Sequence, residues 1–154
     1  MQISGQIKTS CPPVFLLKVL NDPDAIIQLL PAGSKLVQSA PGTFAFTMSK
    51  SVGPIRLTLP GTLTITPLGK GHDQTLTVKA AHTMAGKVDL DLSIEISRED
   101  GVTRVGYHGE LEATGLSGRI LREHSARANS VVKAALTRLK LHAEIEFNRK
   151  KAAV

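Results

Sequence analysis

Hydrophobic and polar residues alternate most regularly in segment 87–96. The apolar positions are Val88, Leu90, Leu92, Ile94 and Ile96, and the polar positions between them are Lys87, Asp89, Asp91, Ser93 and Glu95. A period of two places successive side chains on opposite faces of a strand. The segment therefore predicts a strand of an antiparallel sheet, with one face in water and the other covered by the rest of the protein.

Turn residues divide most of the chain into further segments of this kind. Glycine and proline, together with the acidic pair of 99–100, separate them. The strands predicted in this way are 1–9, 35–39, 43–50, 55–66, 74–83, 88–96 and 102–113. Pro60-Gly61 lies inside one of them and predicts a bulge or sharp bend, because proline cannot donate a ladder hydrogen bond. We expect a curved antiparallel sheet of about six to seven strands.

Helical patterns flank this series of strands. Two short helices are predicted after the first strand, the second with Asp22 as N-cap and Pro23 at its first position. A long amphipathic helix is predicted over 116–147. Its apolar stripe recurs at three and four residues and consists of Leu121, His124, Ala128, Val131, Ala135 and Leu139. The small side chains in the middle of this stripe predict space beneath the helix.

Together these elements predict an α+β helix-grip arrangement, in which the curved sheet wraps around the long C-terminal helix. A chain of 154 residues suits a single domain, 1–154. A ligand cavity is expected between sheet and helix. The residues predicted to line it are Phe44, Phe46, Met48, Leu57, Leu59, Val78, Ala80, His82, Leu90, Leu92, Tyr107, Leu121, His124, Ala128, Val131 and Ala135.

Each of these residues also has a purely structural interpretation. The apolar ones could simply fill the core, and several must do so. His82 and His124 could hydrogen-bond a carbonyl or quinone oxygen or act as acid and base, or they could be hydrogen-bonded residues at the cavity rim. The hydroxyl of Tyr107 needs a partner, which could be a ligand or a backbone carbonyl. No histidine or cysteine spacing predicts a metal site, and no cofactor is expected.

Charge and composition narrow the possible partners. The net charge is +6, and cationic residues gather late in the chain at Arg138, Lys140, Arg149, Lys150 and Lys151. Such a cluster attracts nucleic-acid phosphates or an anionic membrane, or it is simply a solvated surface. Aromatic residues make up only 3% of the chain, which disfavours single-strand nucleic-acid binding, because that usually needs stacking platforms.

The cellular compartment is predicted from three absences in the sequence. The lone Cys11 cannot form an internal disulfide, which fits a reducing compartment. No apolar run reaches the roughly 20 residues of a membrane span, and the first ten residues do not have the pattern of a signal peptide. We expect a cytoplasmic protein, with peripheral contact to the inner face of the membrane as a further option.

Several segments, taken together, resemble one protein family. Residues 53–61, GPIRLTLPG, are similar to the G-P-[VI]-[KR]-x-x-[FL]-x-G stretch of the carbon monoxide dehydrogenase CoxG family. Residues 21–31 resemble its D-P-x-x-L-x-x-x-L-P element. Segments 41–44, 103–107 and 115–116 are similar to its following turn, last strand and helix start, in the same order. The resemblance therefore covers nearly the whole chain.

This resemblance carries expectations about fold and function. The family belongs to the START-like, SRPBCC or Bet v 1-like group, whose helix-grip fold encloses a hydrophobic pocket. It implies a binding or carrier protein for a hydrophobic, quinone- or lipid-like molecule, accessory to a molybdenum-containing carbon monoxide dehydrogenase-type system. Two alternatives remain open: a polyketide cyclase- or dehydratase-like enzyme using His82, His124 and Tyr107, or an adaptor that docks through its basic C-terminal end on a membrane or a dehydrogenase.

Overall fold

Seven strands and four α-helices form in the part of the chain that the computed structural model describes, which is residues 1–52, 54–69, 71–83, 85–123 and 127–152. The strands are β1 Gln2–Thr9, β2 Lys35–Ala40, β3 Thr43–Val52, β4 Ile55–Pro67, β5 Gln74–His82, β6 Gly86–Glu99 and β7 Val102–Ala113. The helices are α1 Pro13–Val19, α2 Pro23–Ile26, α3 Gly115–Glu123 and α4 Ala128–Ala152, and a 3₁₀ turn, Ile27–Leu29, continues α2.

The strands form one antiparallel sheet in the order β1-β7-β6-β5-β4-β3-β2. β2 to β7 follow one another as a meander, and β1 pairs with the last strand, β7. Predicted strands and observed strands agree in number and order. The strict alternation of β6 is realised as expected, because Leu92 and Ile94 are buried while Asp91 and Glu95 between them are exposed.

Local signals in the sequence produce the predicted turn and cap. Asp100 and Gly101 both have positive φ, 52° and 76°, as a two-residue hairpin turn between β6 and β7 requires. Asp22 caps α2, since its carboxylate accepts a hydrogen bond from the Asp24 amide at 3.0 Å, and Pro23 occupies the first helical position. Both features were predicted.

The predicted bulge at Pro60-Gly61 is wrong. β3 and β4 pair without a register shift from Thr43–Thr64 to Val52–Ile55. Among the described residues, the ladder between β4 and β5 ends at the pair Gly61–Ala80. A Cβ atom on Gly61 would lie 2.6 Å from Cζ of Phe46, so the glycine makes room for the Phe46 ring. Pro60-Gly61 therefore marks where β4 loses its second neighbour.

The predicted single terminal helix is two helices, α3 and α4, and residues 124–126 between them lie outside the described part of the chain. α4 buries Ala128, Leu136, Leu139 and Ala143. Val131 was assigned to the inner stripe, but it is 63% exposed, and half-buried Val132 takes that place. The stripe was misplaced by one residue because two adjacent valines give hydropathy no means to choose between them.

Polar contacts hold α4 along the edge strand β1. The backbone N–H of Ser4 donates to Oδ1 of Asn129 at 3.0 Å, so the helix covers an otherwise free sheet edge. Five residues further along β1, the Thr9 hydroxyl donates to Oε2 of Glu144 at 2.8 Å. The helix and the strand therefore run in the same direction, and both ends of the contact are fixed.

α3 occupies the opposite end of the sheet. The amide of Ser117 donates to the carbonyl of Ala85 at 2.7 Å, beside the hairpin between β5 and β6. The Thr114 amide donates to the Lys87 carbonyl at 2.9 Å. The two terminal helices thus belong to different ends of the sheet, and this division organises the candidate site.

Candidate ligand-binding cavity

An apolar cavity of about 40 Å³ lies between the inner face of the sheet and the helices α1 and α4. The described residues that line it are Ile7, Thr9, Leu16, Val19, Leu20, Leu29, Leu76, Ile94, Ile96, Val105, Leu136, Leu139 and Lys140. We call this region, where β1, β6 and β7 lie beneath α1 and α4, the closed end.

The strand register explains how the wall of the cavity forms. Ile7 pairs with Val105, and Val105 pairs with Ile96, so three β-branched side chains stand side by side on one face. Leu136 and Leu139 approach them from α4, at a spacing of three residues that keeps both on one side of the helix. Because β-branched side chains are short and stiff, they leave a gap that the leucines do not fill completely.

The cavity is small for a ligand site. It has room for a few water molecules or a short alkyl group, whereas an engineered cavity that binds benzene measures roughly 150 Å³. Pockets for drug-sized molecules usually span roughly 300 to 1,000 Å³. As the side chains stand, only one end of a larger ligand fits.

A chain of buried polar contacts borders the closed end. The Thr103 hydroxyl donates to the Cys11 carbonyl at 2.6 Å, and the Cys11 amide donates to the Thr9 hydroxyl at 3.2 Å. Arg98 donates to the Thr103 hydroxyl at 3.0 Å. Burial raises the pKa of the Cys11 thiol above its ordinary value. These contacts fix the crossing from β1 to α1 and keep the thiol protonated.

The residues predicted to bind ligand lie mainly at the other end of the sheet. None of those whose side chains are described lines the closed-end cavity. Phe44, Phe46, Leu59, Ala80, Leu92, Tyr107 and Ala128 are buried, Met48, Val78, Leu90 and Ala135 are half-buried, and His82 and Val131 are exposed. The side chains of Leu57 and Leu121, and all of His124, lie outside the described part of the chain.

Half-buried apolar side chains gather on the inner face near α3. They are Met48, Val78, Val88, Leu90 and Leu111, and we call this region the open end. Val78 pairs with Leu90 and Leu90 pairs with Leu111, so these three form a row across β5, β6 and β7. The open end is therefore a continuous apolar strip that is less covered than the closed end.

The predicted catalytic group does not assemble within the described residues. Tyr107 is level with Gln74 of β5 through Ile94, and His82 lies eight residues further along that strand. At roughly 3.3 Å per residue the separation along the strands is about 26 Å. One small substrate cannot contact both side chains, so a shared acid–base role for them is unsupported.

Tyr107 has a local packing role instead. It pairs with Gly5 of β1, and its ring lies against this glycine in the place a Cβ atom would need. Burial raises the pKa of its hydroxyl. Within the described residues that hydroxyl has no hydrogen-bond partner, so the expected backbone carbonyl is not found.

Sequence reasoning missed the residues that line the cavity, above all Leu136, Leu139 and Ile96. A usable signal was present, because Val132, Leu136, Leu139 and Ala143 recur at four, three and four residues. Leu139 was assigned to the stripe, but not to the ligand site. In the described part of the chain, no group of His, Cys, Asp and Glu side chains could hold a metal ion. No helix found there has both the length and the apolar character needed to cross a membrane.

The comparison with protein families identifies one match. The sequence model of the carbon monoxide dehydrogenase CoxG family matches residues 5–143, which is most of the chain. A search of curated proteins gives no match.

Solved structures share the fold at low sequence identity. A conserved protein from Geobacillus kaustophilus has a TM-score of 0.76 and 15% identity, covering 93% of this chain and 95% of that one. A STAR-related lipid transfer protein from Xanthomonas axonopodis has a TM-score of 0.61 and 15% identity, with coverages of 91% and 84%. An aromatase/cyclase from a Streptomyces species has a TM-score of 0.62 and 13% identity, with coverages of 94% and 93%. The predicted START-like helix-grip fold is thereby confirmed.

Proposed function

The chain belongs to the carbon monoxide dehydrogenase CoxG family, and from this premise we propose that it binds and carries a hydrophobic, quinone- or lipid-like small molecule. The observation that carries the proposal is the apolar cavity between the sheet, α1 and α4. Helix-grip relatives include a lipid transfer protein and an aromatase/cyclase, by their names. Their likeness supports the choice of a hydrophobic ligand, and the cavity supplies a location for it.

Energetics limit how the ligand is held. Covering about 100 Å² of apolar ligand surface contributes roughly 2.5 kcal/mol at roughly 25 cal/mol per Å². Association costs at least about 4 kcal/mol, so an unchanged closed-end cavity would give no useful affinity. We infer that the bound ligand reaches beyond the closed end, either by displacing Leu136 and Leu139 or by extending along the apolar strip of the open end.

A titration with defined hydrophobic probes tests this function. Decylubiquinone and palmitate are added to purified protein, and heat of binding is measured by calorimetry. Leu139→Phe should weaken binding at least about fivefold, because the larger ring occupies the cavity. Val131→Phe is the matched control, since it adds the same ring to an exposed position of the same helix. Equal binding by both variants would contradict the assignment of the cavity.

Ligand carried from the cell provides an independent test. Native mass spectrometry and solvent extraction of the purified protein should reveal a hydrophobic compound in a fraction of the molecules. If neither method detects such a compound and neither probe binds, the carrier function is wrong.

The proposed context is a molybdenum-containing carbon monoxide dehydrogenase-type system in the cytoplasm. The support for it is membership of the CoxG family. A purified dehydrogenase of this class should bind the chain at micromolar concentration in surface plasmon resonance. Absence of binding would remove the accessory role and leave the ligand-binding role intact.

The basic end of α4 supports a second proposed contact, with an anionic membrane. Part of this charge is already used, since Arg149 pairs with Glu146 at 3.1 Å and the Lys150 ammonium lies 5.5 Å from the centre of the Phe15 ring. Binding to vesicles containing phosphatidylglycerol should therefore be weak and should fall as salt is added. Salt-insensitive binding, or none, would exclude this contact.

A further inference from the structure

We propose that the ligand of the closed-end cavity is an anionic amphiphile, an aliphatic carboxylate whose chain enters the cavity and whose carboxylate binds the ammonium group of Lys140. This inference rests on the proposed function and specifies the class of ligand. It distinguishes a fatty acid from a neutral quinone.

The first observation is the position of Lys140. Among the described residues that line the cavity it is the one that carries a charge, and the others are aliphatic apart from Thr9. It is half-buried on α4, one residue after Leu139. An aliphatic chain in the cavity would therefore end close to a cation.

The second observation is that Lys140 has no partner of its own. The carboxylate one turn away, on Glu144, accepts the hydrogen bond from Thr9 at 2.8 Å. Within the described part of the chain no carboxylate oxygen lies within 4.0 Å of the Lys140 ammonium. A lysine at this spacing would ordinarily be expected to pair with such a glutamate. The structure thus presents an unneutralised cation at the cavity wall.

Neighbouring cations are occupied or remote. Nε of Arg138 donates to the Gln28 carbonyl at 2.9 Å, which fixes that guanidinium against the 3₁₀ turn. Lys133 lies about two turns before Lys140 on the same helix and is exposed. Lys140 is therefore the cation with both the freedom and the location to bind a carboxylate at the cavity.

Charge also addresses the weak affinity of a small cavity. A charge-assisted hydrogen bond is stronger than a neutral one, although partial exposure of Lys140 reduces its effect. The competing interpretation is that the Lys140 stem merely packs on apolar side chains while its ammonium stays in water. Variants that keep the stem and remove the charge separate the two.

The experiment compares octanoate with 1-octanol, which has the same chain without charge, by isothermal calorimetry on the purified full chain. Lys140→Met should weaken octanoate binding about fivefold and leave 1-octanol binding unchanged, because methionine keeps the apolar stem. Lys140→Arg should retain octanoate binding. Lys133→Met is the matched control and should behave like the unaltered chain with both probes.

The outcomes distinguish this inference from the function on which it rests. If Lys140→Met affects octanoate and 1-octanol equally, or neither, the charge has no role and the inference is wrong. If decylubiquinone binds in the unaltered chain while octanoate does not, the carrier function stands and the anionic class is excluded. If none of the three probes binds, the proposed function itself fails.

Discussion

The closed end and the open end of this sheet are built from similar apolar residues but are covered in different ways. At the closed end, α4 is hydrogen-bonded to β1 through Asn129 and Glu144, and Ile96 and Leu139 are buried. At the open end, Met48 and Val78 are only half-buried beneath α3. The difference teaches that polar anchoring of the helix, more than apolar composition, decides which part of the grip is shut.

The strand pairing shows the same contrast. Beyond Gly61–Ala80, β4 pairs only with β3, and the last residues of β5 pair only with β6, within the described residues. At the closed end, β1, β7 and β6 stay paired up to Thr9, Thr103 and Arg98. The open end therefore has fewer connections to break, and we expect a ligand larger than the cavity to be accommodated in that direction.

Thiol labelling should show the largest difference between the ends. Cys11 is fully buried, so iodoacetamide can reach it only after local opening. A cysteine placed at the open end by Val78→Cys, in a Cys11→Ala background, should react roughly 100-fold faster. The readout is the alkylation rate by mass spectrometry. Similar rates at both positions would remove the distinction between the ends.

Truncation of a leucine should show a large difference in stability. Leu139→Ala should lower the free energy of unfolding by about 3 kcal/mol, because it enlarges a cavity among buried side chains. Val78→Ala at the open end should cost about 1 kcal/mol, since that side chain is only half-buried. Urea denaturation of both variants measures this. A larger loss for Val78→Ala would reverse the comparison.

Removal of the polar anchor should have a moderate effect. Glu144→Ala deletes the acceptor of the Thr9 hydroxyl and should lower the free energy of unfolding by about 1.5 kcal/mol. Glu146→Ala is the matched control: it removes a surface pair with Arg149 and should cost less than about 0.5 kcal/mol. Hydrogen exchange at β1 should rise only in the first variant. Equal losses would show that the anchor does not hold α4.

Alkaline pH should have the smallest effect, and it should arise at the closed end. Burial raises the pKa of Cys11 above its ordinary value of 9.0, so the folded chain retains a proton that the unfolded chain releases. The free energy of unfolding should therefore fall as pH rises above about 9, while remaining unaffected by this group below that pH. Cys11→Ala should fall less steeply. A stability that rises over this range would contradict the burial of the thiol.

The sequence predicted the elements well and the site poorly, for different physical reasons. Alternation in β6 and the turn at Asp100-Gly101 are local signals, and local signals determine strands and turns. The phase of α4 depends on which of Val131 and Val132 faces inward, and hydropathy treats the two alike. Its placement depends on hydrogen bonds from Ser4 and Thr9, which no pattern of apolar residues reveals.

The most direct measurement of the central claim is a methyl NMR titration with decylubiquinone and octanoate. If the ligand enters the cavity between sheet and α4, methyl signals of Leu136, Leu139 and Ile96 should shift saturably and show contacts to the ligand chain. Signals of Val78 and Leu90 should shift only with the longer probe. Saturable binding that leaves the three closed-end residues unchanged would contradict the account.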